Sequence, residues 1–92
     1  MTIPDSVTNI EAKAFDSCTC LTSLTIPASV ASIGERAFSG CVHLAQVYFE
    51  GNAPGFGPEV FSDCEELTVH HFSHTKGWGH TLSGRPIVVD AR

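Results

Sequence analysis

Apolar residues return along this chain at a fixed interval of 23. Ile3, Ile26 and Phe49 share one place in that frame, Ile10, Ile33 and Phe56 a second, Phe15, Phe38 and Phe61 a third, and Leu21, Leu44 and Leu67 a fourth. Self-similarity at such a period marks a repeat architecture, in which each copy is one small unit that cannot bury its apolar face alone. Segments 2–24 and 25–47 are identical at ten of 23 positions, the Thr-Ile-Pro triplets and Ala-Phe pairs included, which removes coincidence as an explanation. The third row, 48–70, diverges but keeps Phe61, Cys64 and Leu67.

Within each row the spacing changes twice, and each change predicts an element. Leu21, Leu24 and Ile26, then Leu44, Val47 and Phe49, follow an L-x-x-L-x-L pattern that predicts a short strand burying one side of every repeat. Pro4 and Pro27 cannot donate to a ladder and so belong at the strand's exit, a place taken by Glu50 in the third row. Ile10, Ala14, Phe15 and Cys18 then fall at i, i+4, i+5 and i+8, one face of a short helix. Ile33, Ala37, Phe38 and Cys41 repeat that face, as do Phe56, Val60, Phe61 and Cys64, with Pro58 and Glu59 suited to a first helical turn.

The expected fold is therefore an α/β solenoid. It is a right-handed leucine-rich repeat with short parallel strands on the concave side, short helical or 3-10 turns on the convex side, and a 23-residue period. Residues 1–70 form three repeats, the first beginning mid-strand, and residues 71–92 form a closing segment. Phe15, Phe38 and Phe61 should make one interior column, Cys18, Cys41 and Cys64 a second, and Leu21, Leu44 and Leu67 a third. Trp78 follows the last repeat and reads either as an exposed anchor for a partner or, preferably, as the large apolar group that seals the core, with its indole N–H on a backbone carbonyl.

The rows resemble the BspA-like class of leucine-rich repeats. "LTSLTIPASVASIGERAFSGC", residues 21–41, is close to the consensus of that class, and the likeness runs over residues 2–70. The tail "KGWGHTLSGRPIVV", residues 76–89, is similar to the closing segment of such arrays. The resemblance implies a microbial surface protein used in adhesion or host and matrix contact, an extracellular or cell-surface location, and no catalytic residues. Two departures stand out. His70, His71 and His74 occupy a stretch where relatives more often carry tyrosines and small residues. The chain also opens partway through a strand, an edge that upstream repeats of a longer parent or self-association would cover.

Charge narrows the partners. The formal net charge is −5, and Lys13, Arg36, Lys76, Arg85 and Arg92 stand singly, so no basic stripe exists for nucleic acid or anionic membranes. No apolar run approaches the ~20 residues that span a bilayer. The charged fraction of 16% is low, which leaves Thr, Ser and Gly to make much of the surface.

Candidate chemistry is thin. Three of the four cysteines lie at equal intervals along a core stripe, so they read as small buried hydrophobes with reduced sulfur, whereas Cys20 breaks the period and is the more reactive thiol. His70, His71, His74 and His80, with Cys64 nearby, could be read as zinc ligands. His70 and His71 point to opposite faces of a strand, however, and spacing of four suits a helix, so no metal or other cofactor is expected. Gly-Phe-Gly at 55–57 and Gly-Trp-Gly at 77–79 lack the context of a phosphate loop. No nucleophile elbow is present, so the chain is not expected to be an enzyme. Ser6, Ser29 and Asn52 share a column after the strand and read as a ladder bonding the backbone of adjoining turns.

What remains is a surface. Residues between the buried leucines should project to the concave face: Thr22, Ser23 and Thr25, then Ala45, Gln46 and Tyr48, then Thr68, Val69 and His71. Thr22, Thr25, Gln46, Tyr48, Glu50 and His71 are the candidate contacts to a protein or glycan ligand, with Tyr48 the strongest anchor type. The competing expectation is a structural end-cap or spacer that terminates a longer array.

Overall fold

Backbone pairing, not helix, organises the described residues of this chain. The computed structural model describes residues 3–73, 75–78, 81–82 and 85–90. Its elements are β1 (Asn9–Ile10), β2 (Ser23–Ile26), β3 (Ser32–Ile33), β4 (Gln46–Phe49), β5 (Gly55–Phe56), β6 (Thr68–Phe72), β7 (Thr81–Leu82) and β8 (Arg85–Asp90). One sheet has the order β2-β4-β6-β8-β7 and the other β1-β3-β5. Every pairing is parallel except β7 with β8. The start of the first repeat at Met1 and Thr2 lies outside the described residues, as do His74 and His80.

The expected strand is present in each row, but a second, two-residue strand was not anticipated. Ile10, Ile33 and Phe56, read as the start of a helix, instead close β1, β3 and β5, and register joins Ile10 to Ile33 and Ile33 to Phe56. Partners in these ladders lie 23 positions apart, the interval of the sequence pattern. So do those of β2 with β4, but β4 with β6 is offset by 22 (Tyr48 with His70, Phe49 with His71).

The convex helices do not form; among the described residues no helix exists. Two features explain it. Lys13, Arg36 and Glu59 hold φ of 61°, 55° and 57°, and Ser17, Gly40 and Asp63 hold 60°, 73° and 63°. Two left-handed residues four apart break any helix. The N–H groups also alternate in direction. Those of Ala14, Asp16 and Cys18 bond back three residues to Glu11, Lys13 and Phe15. Those of Lys13, Phe15 and Ser17 leave the coil for the carbonyls of Glu35, Ala37 and Ser39 at 2.9, 2.7 and 2.7 Å. Arg36, Phe38 and Gly40 repeat the pattern onto Pro58, Val60 and Ser62. An α-helix would turn all these donors inward along its own axis; here half of them stitch one coil to the next. The apolar spacing is the same in either arrangement, since both turn Phe and Cys inward.

Close stacking follows. A Cβ placed on Gly34 would lie 2.4 Å from the Ala12 nitrogen, and one on Gly57 would lie 2.6 Å from that of Glu35. The interior holds the expected columns. Phe38, Phe61, Cys41, Cys64, Leu44 and Leu67 are buried, while Phe15, Cys18 and Leu21 are only partly covered because the first coil has a neighbour on one side. The rings of Phe15 and Phe38 stack at 5.1 Å and those of Phe38 and Phe61 at 5.5 Å, with interplanar angles of 6° and 11°. Both spacings are close to the distance between neighbouring strands, so a side chain repeated in every coil meets its own copy.

Beyond the third coil, β8 pairs in parallel with β6 and so adds a fourth parallel strand to the larger sheet. Trp78 packs against Phe49, Phe56 and His71, with ring centroids at 4.8, 6.2 and 5.0 Å. The expected bond from its indole to a carbonyl is not made among the described residues, where Nε1 is buried without a partner.

Candidate functional site

The recesses lined by the described residues are shallow and open, one at Ala28, Glu50, Asn52 and Thr75 and one at Ile3, Val7, Ile10 and Phe15. Among the described residues no three His, Cys, Asp or Glu side chains converge as a metal ion would require, and no helix is long and apolar enough to cross a membrane. The surface with the most varied chemistry is the outer face of the larger sheet. Side chains alternate along its strands: β4 and β6 run half-buried, buried, half-buried, buried, with Val47, Phe49, Val69 and His71 turned inward.

Register fixes which side chains share that face. Ser23, Gln46 and Thr68 form one file across the strands, and Thr25, Tyr48, His70 and Val88 form another. Tyr48 and His70 stack at 4.6 Å with planes 19° apart. His70 Nε2 and Gln46 Oε1 are hydrogen-bonded, so the ring is held on two sides. Of the expected contacts, Thr22, Thr25, Gln46, Tyr48 and Glu50 lie at or beside this face with side chains exposed or half-buried.

His71 does not. It is 7% exposed and pairs with the inward Phe49. Its Nδ1 sits 3.0 Å from Thr75 Oγ1, and its ring stacks on Trp78. Thr75 Oγ1 gives its own hydrogen to the Phe72 carbonyl at 2.7 Å, which leaves it to accept from His71. The cause is a shortening by one residue. Leu44 and Val47 have two residues between them, whereas Leu67 and Val69, their counterparts, have one. A shift of one residue moves every following side chain to the opposite face. A strict period of 23 therefore assigns His71 and Val69 outward, and the shortened strand turns them in and His70 out.

The cysteines are all free thiols. Cys41 Sγ donates to the Phe15 carbonyl at 3.2 Å and Cys64 Sγ to the Phe38 carbonyl at 3.1 Å, so each buried thiol ties its coil to the one before. Burial pushes the Cys41 thiol above its ordinary range, partly offset by a backbone hydrogen bond from Cys18. Cys20 is exposed. The column after the strand behaves as a ladder in two rows: Ser29 Oγ donates to Val7 O at 2.7 Å, and Asn52 Oδ1 accepts from the Lys76 N–H at 2.8 Å.

A family model described as the BspA type leucine-rich repeat region (6 copies) matches residues 1–77. No curated protein matches the chain, and no solved structure does. With stacked parallel strands, a file of phenylalanines and thiols that bridge successive coils, the chain belongs to the BspA-type leucine-rich repeat family.

Proposed function

We propose that this chain is a non-enzymatic interaction module that contacts a protein or glycan through the outer face of its larger sheet, in an adhesion-type protein at a microbial cell surface. Membership of the BspA-type family supports the repeat-protein interaction role, and the surface location rests on the same kinship. The observation that carries the choice of face is the Tyr48–His70 stack. It is a half-exposed aromatic pair, held by Gln46, among the short polar side chains Ser23, Thr25 and Thr68. Aromatic side chains already fixed in place lose little freedom on binding and dominate interface energetics. Thr22, Thr25, Gln46, Tyr48, Glu50 and His70 are the contact set, His70 replacing His71.

The end-closing reading keeps its place beside it, on residues 71–92 following three repeats in 1–70. Trp78 lies over Phe49, Phe56 and His71, where a further coil would otherwise cover them, and that contact supports a terminating role for the tail. The two roles are compatible, since one uses the sheet face and the other the end of the stack. A panel of immobilised matrix proteins and glycans tests the first. Retention on any member should be lost with Tyr48→Asp and kept with Glu35→Lys on the return side. Loss with Glu35→Lys alone would move the contact to the convex side and end the proposal.

A further inference from the structure

Glu50 occupies an unusual place on the sheet face. Carrying the register of Phe49 with His71 one residue further sets Glu50 beside Phe72, and the Glu50 N–H bonds to the Ile26 carbonyl at 3.0 Å, so its pairing with β2 continues to this residue. Glu50 directly follows β4 and stands two residues after Tyr48, which in extended backbone puts both on one face about 7 Å apart. Tyr48, Glu50, His70 and Phe72 are all half-buried. Glu50 thus has an aromatic residue along the strand, another across from it and His70 on the diagonal. An open recess of about 390 Å³, lined by Ala28, Gly51 and Asn52 among others, lies beside it.

Two further facts bear on what would fit. Among the described side chains of this face, Ser23, Thr25, Gln46, Tyr48, Thr68, His70, Phe72 and Val88, none is Lys or Arg; Lys76 runs beside Asn52 in the following loop, and the whole chain carries −5. One face of the Tyr48 ring is covered by His70. Its neighbour on the other side is Thr25, which is too short to cover a ring, so a flat group can lie there.

We infer that this patch receives an arginine side chain of a protein partner, its guanidinium against the open face of Tyr48 and its N–H fork on the Glu50 carboxylate. The inference rests on the reading of the sheet as the contact face and specifies its ligand. Guanidinium is planar, lies flat on aromatic rings and matches a carboxylate in forked geometry, whereas an ammonium meets both as a point charge, with neither plane nor fork. A neutral sugar could stack on Tyr48 but would leave Glu50 without a counter-charge. An anionic ligand would meet repulsion.

The test uses the whole chain and two fluorescent peptides of equal length and charge, one rich in arginine and one in lysine, read by anisotropy at low salt. The arginine peptide should bind about tenfold more tightly, the ratio that a partly desolvated cation–π and forked contact supplies. Tyr48→Leu and Glu50→Gln should each reduce it to the lysine level, and Glu35→Gln on the return side should leave the preference intact. Equal binding of the two peptides, binding of neither, or a preference that survives Glu50→Gln overturns the inference. Glu50→Gln keeps the size and exposure of the native side chain, so it decides the matter even if Tyr48→Leu disturbs the fold. If the preference is absent while Tyr48→Asp still releases a ligand of the sheet face, the arginine inference falls and the contact face stands.

Discussion

Two sets of stacked rings run along this molecule, one inside and one outside, and they serve different ends. Phe15, Phe38 and Phe61 stack at 5.1 and 5.5 Å in the interior, and Tyr48 and His70 stack at 4.6 Å on the sheet face. The spacing is set by the same cause in both places, the distance between adjacent coils. What differs is water: Phe38 and Phe61 are 0% and 1% exposed, whereas Tyr48 and His70 are half-buried. Coil spacing aligns side chains without regard to burial: inside, the 23-residue repeat stacks like on like, and on the sheet face the one-residue shortening of β6 sets His70 against Tyr48.

The sharpest break in that comparison is Phe38→Ala. Its ring has a stacked neighbour on both faces, so its loss should cost about 3–5 kcal/mol in denaturant unfolding. Phe15→Ala, with one neighbour and partial exposure, should cost about half as much. Trp78→Ala comes next, at about 2 kcal/mol. It is half-covered, and removing its Nε1, buried without a partner among the described residues, returns part of the loss. Tyr48→Ala should cost about 1 kcal/mol or less, the worth of one aromatic pair at a partly exposed site, while removing binding. If Tyr48→Ala proved as damaging as Phe38→Ala, the division between interior and surface would fail. Smallest of all is Arg36→Ala, about 0.5 kcal/mol or less, because its 3.3 Å pair with Glu59 is exposed on both sides.

The thiols sharpen the same contrast by rate and by pH. Cys20 should react with a maleimide within the mixing time and Cys18 more slowly, with Cys41 and Cys64 protected until unfolding. Because burial raises the Cys41 thiol above its unfolded value, the folded chain holds that proton more tightly. Its contribution to stability is therefore complete below the ordinary thiol range of about 8.5 and declines as pH rises past it towards the folded value. A midpoint of urea unfolding that rose with pH over that range would contradict this sign.

The interior was legible from residue spacing alone because Phe, Cys and Leu recur with their neighbours intact from row to row. The return side was misread as helix because i, i+4, i+5, i+8 spacing turns the same residues inward in a helix and in these stitched turns. The feature that separates them, left-handed backbone at Lys13, Ser17, Arg36, Glu59 and Asp63, sits on residues that do not announce it; only Gly40 hints at it. On the sheet, the outward orientation of Gln46 and Tyr48 was legible, since β2 and β4 keep the common period. His71 was not, because a single-residue shortening is invisible in a stretch as uniform as Thr-Val-His-His, where hydrophobic and polar positions match either register equally well.

That shortening is also where the account is easiest to test, since it decides which histidine a ligand can meet. Brief treatment with diethyl pyrocarbonate, read by peptide mass spectrometry, should modify His43 and His70 in the folded chain and leave His71 unmodified until urea unfolds it. Modification of His71 at the rate of His70 or faster would restore the strict interval of 23, reverse the two faces of β6, and contradict the surface described for it.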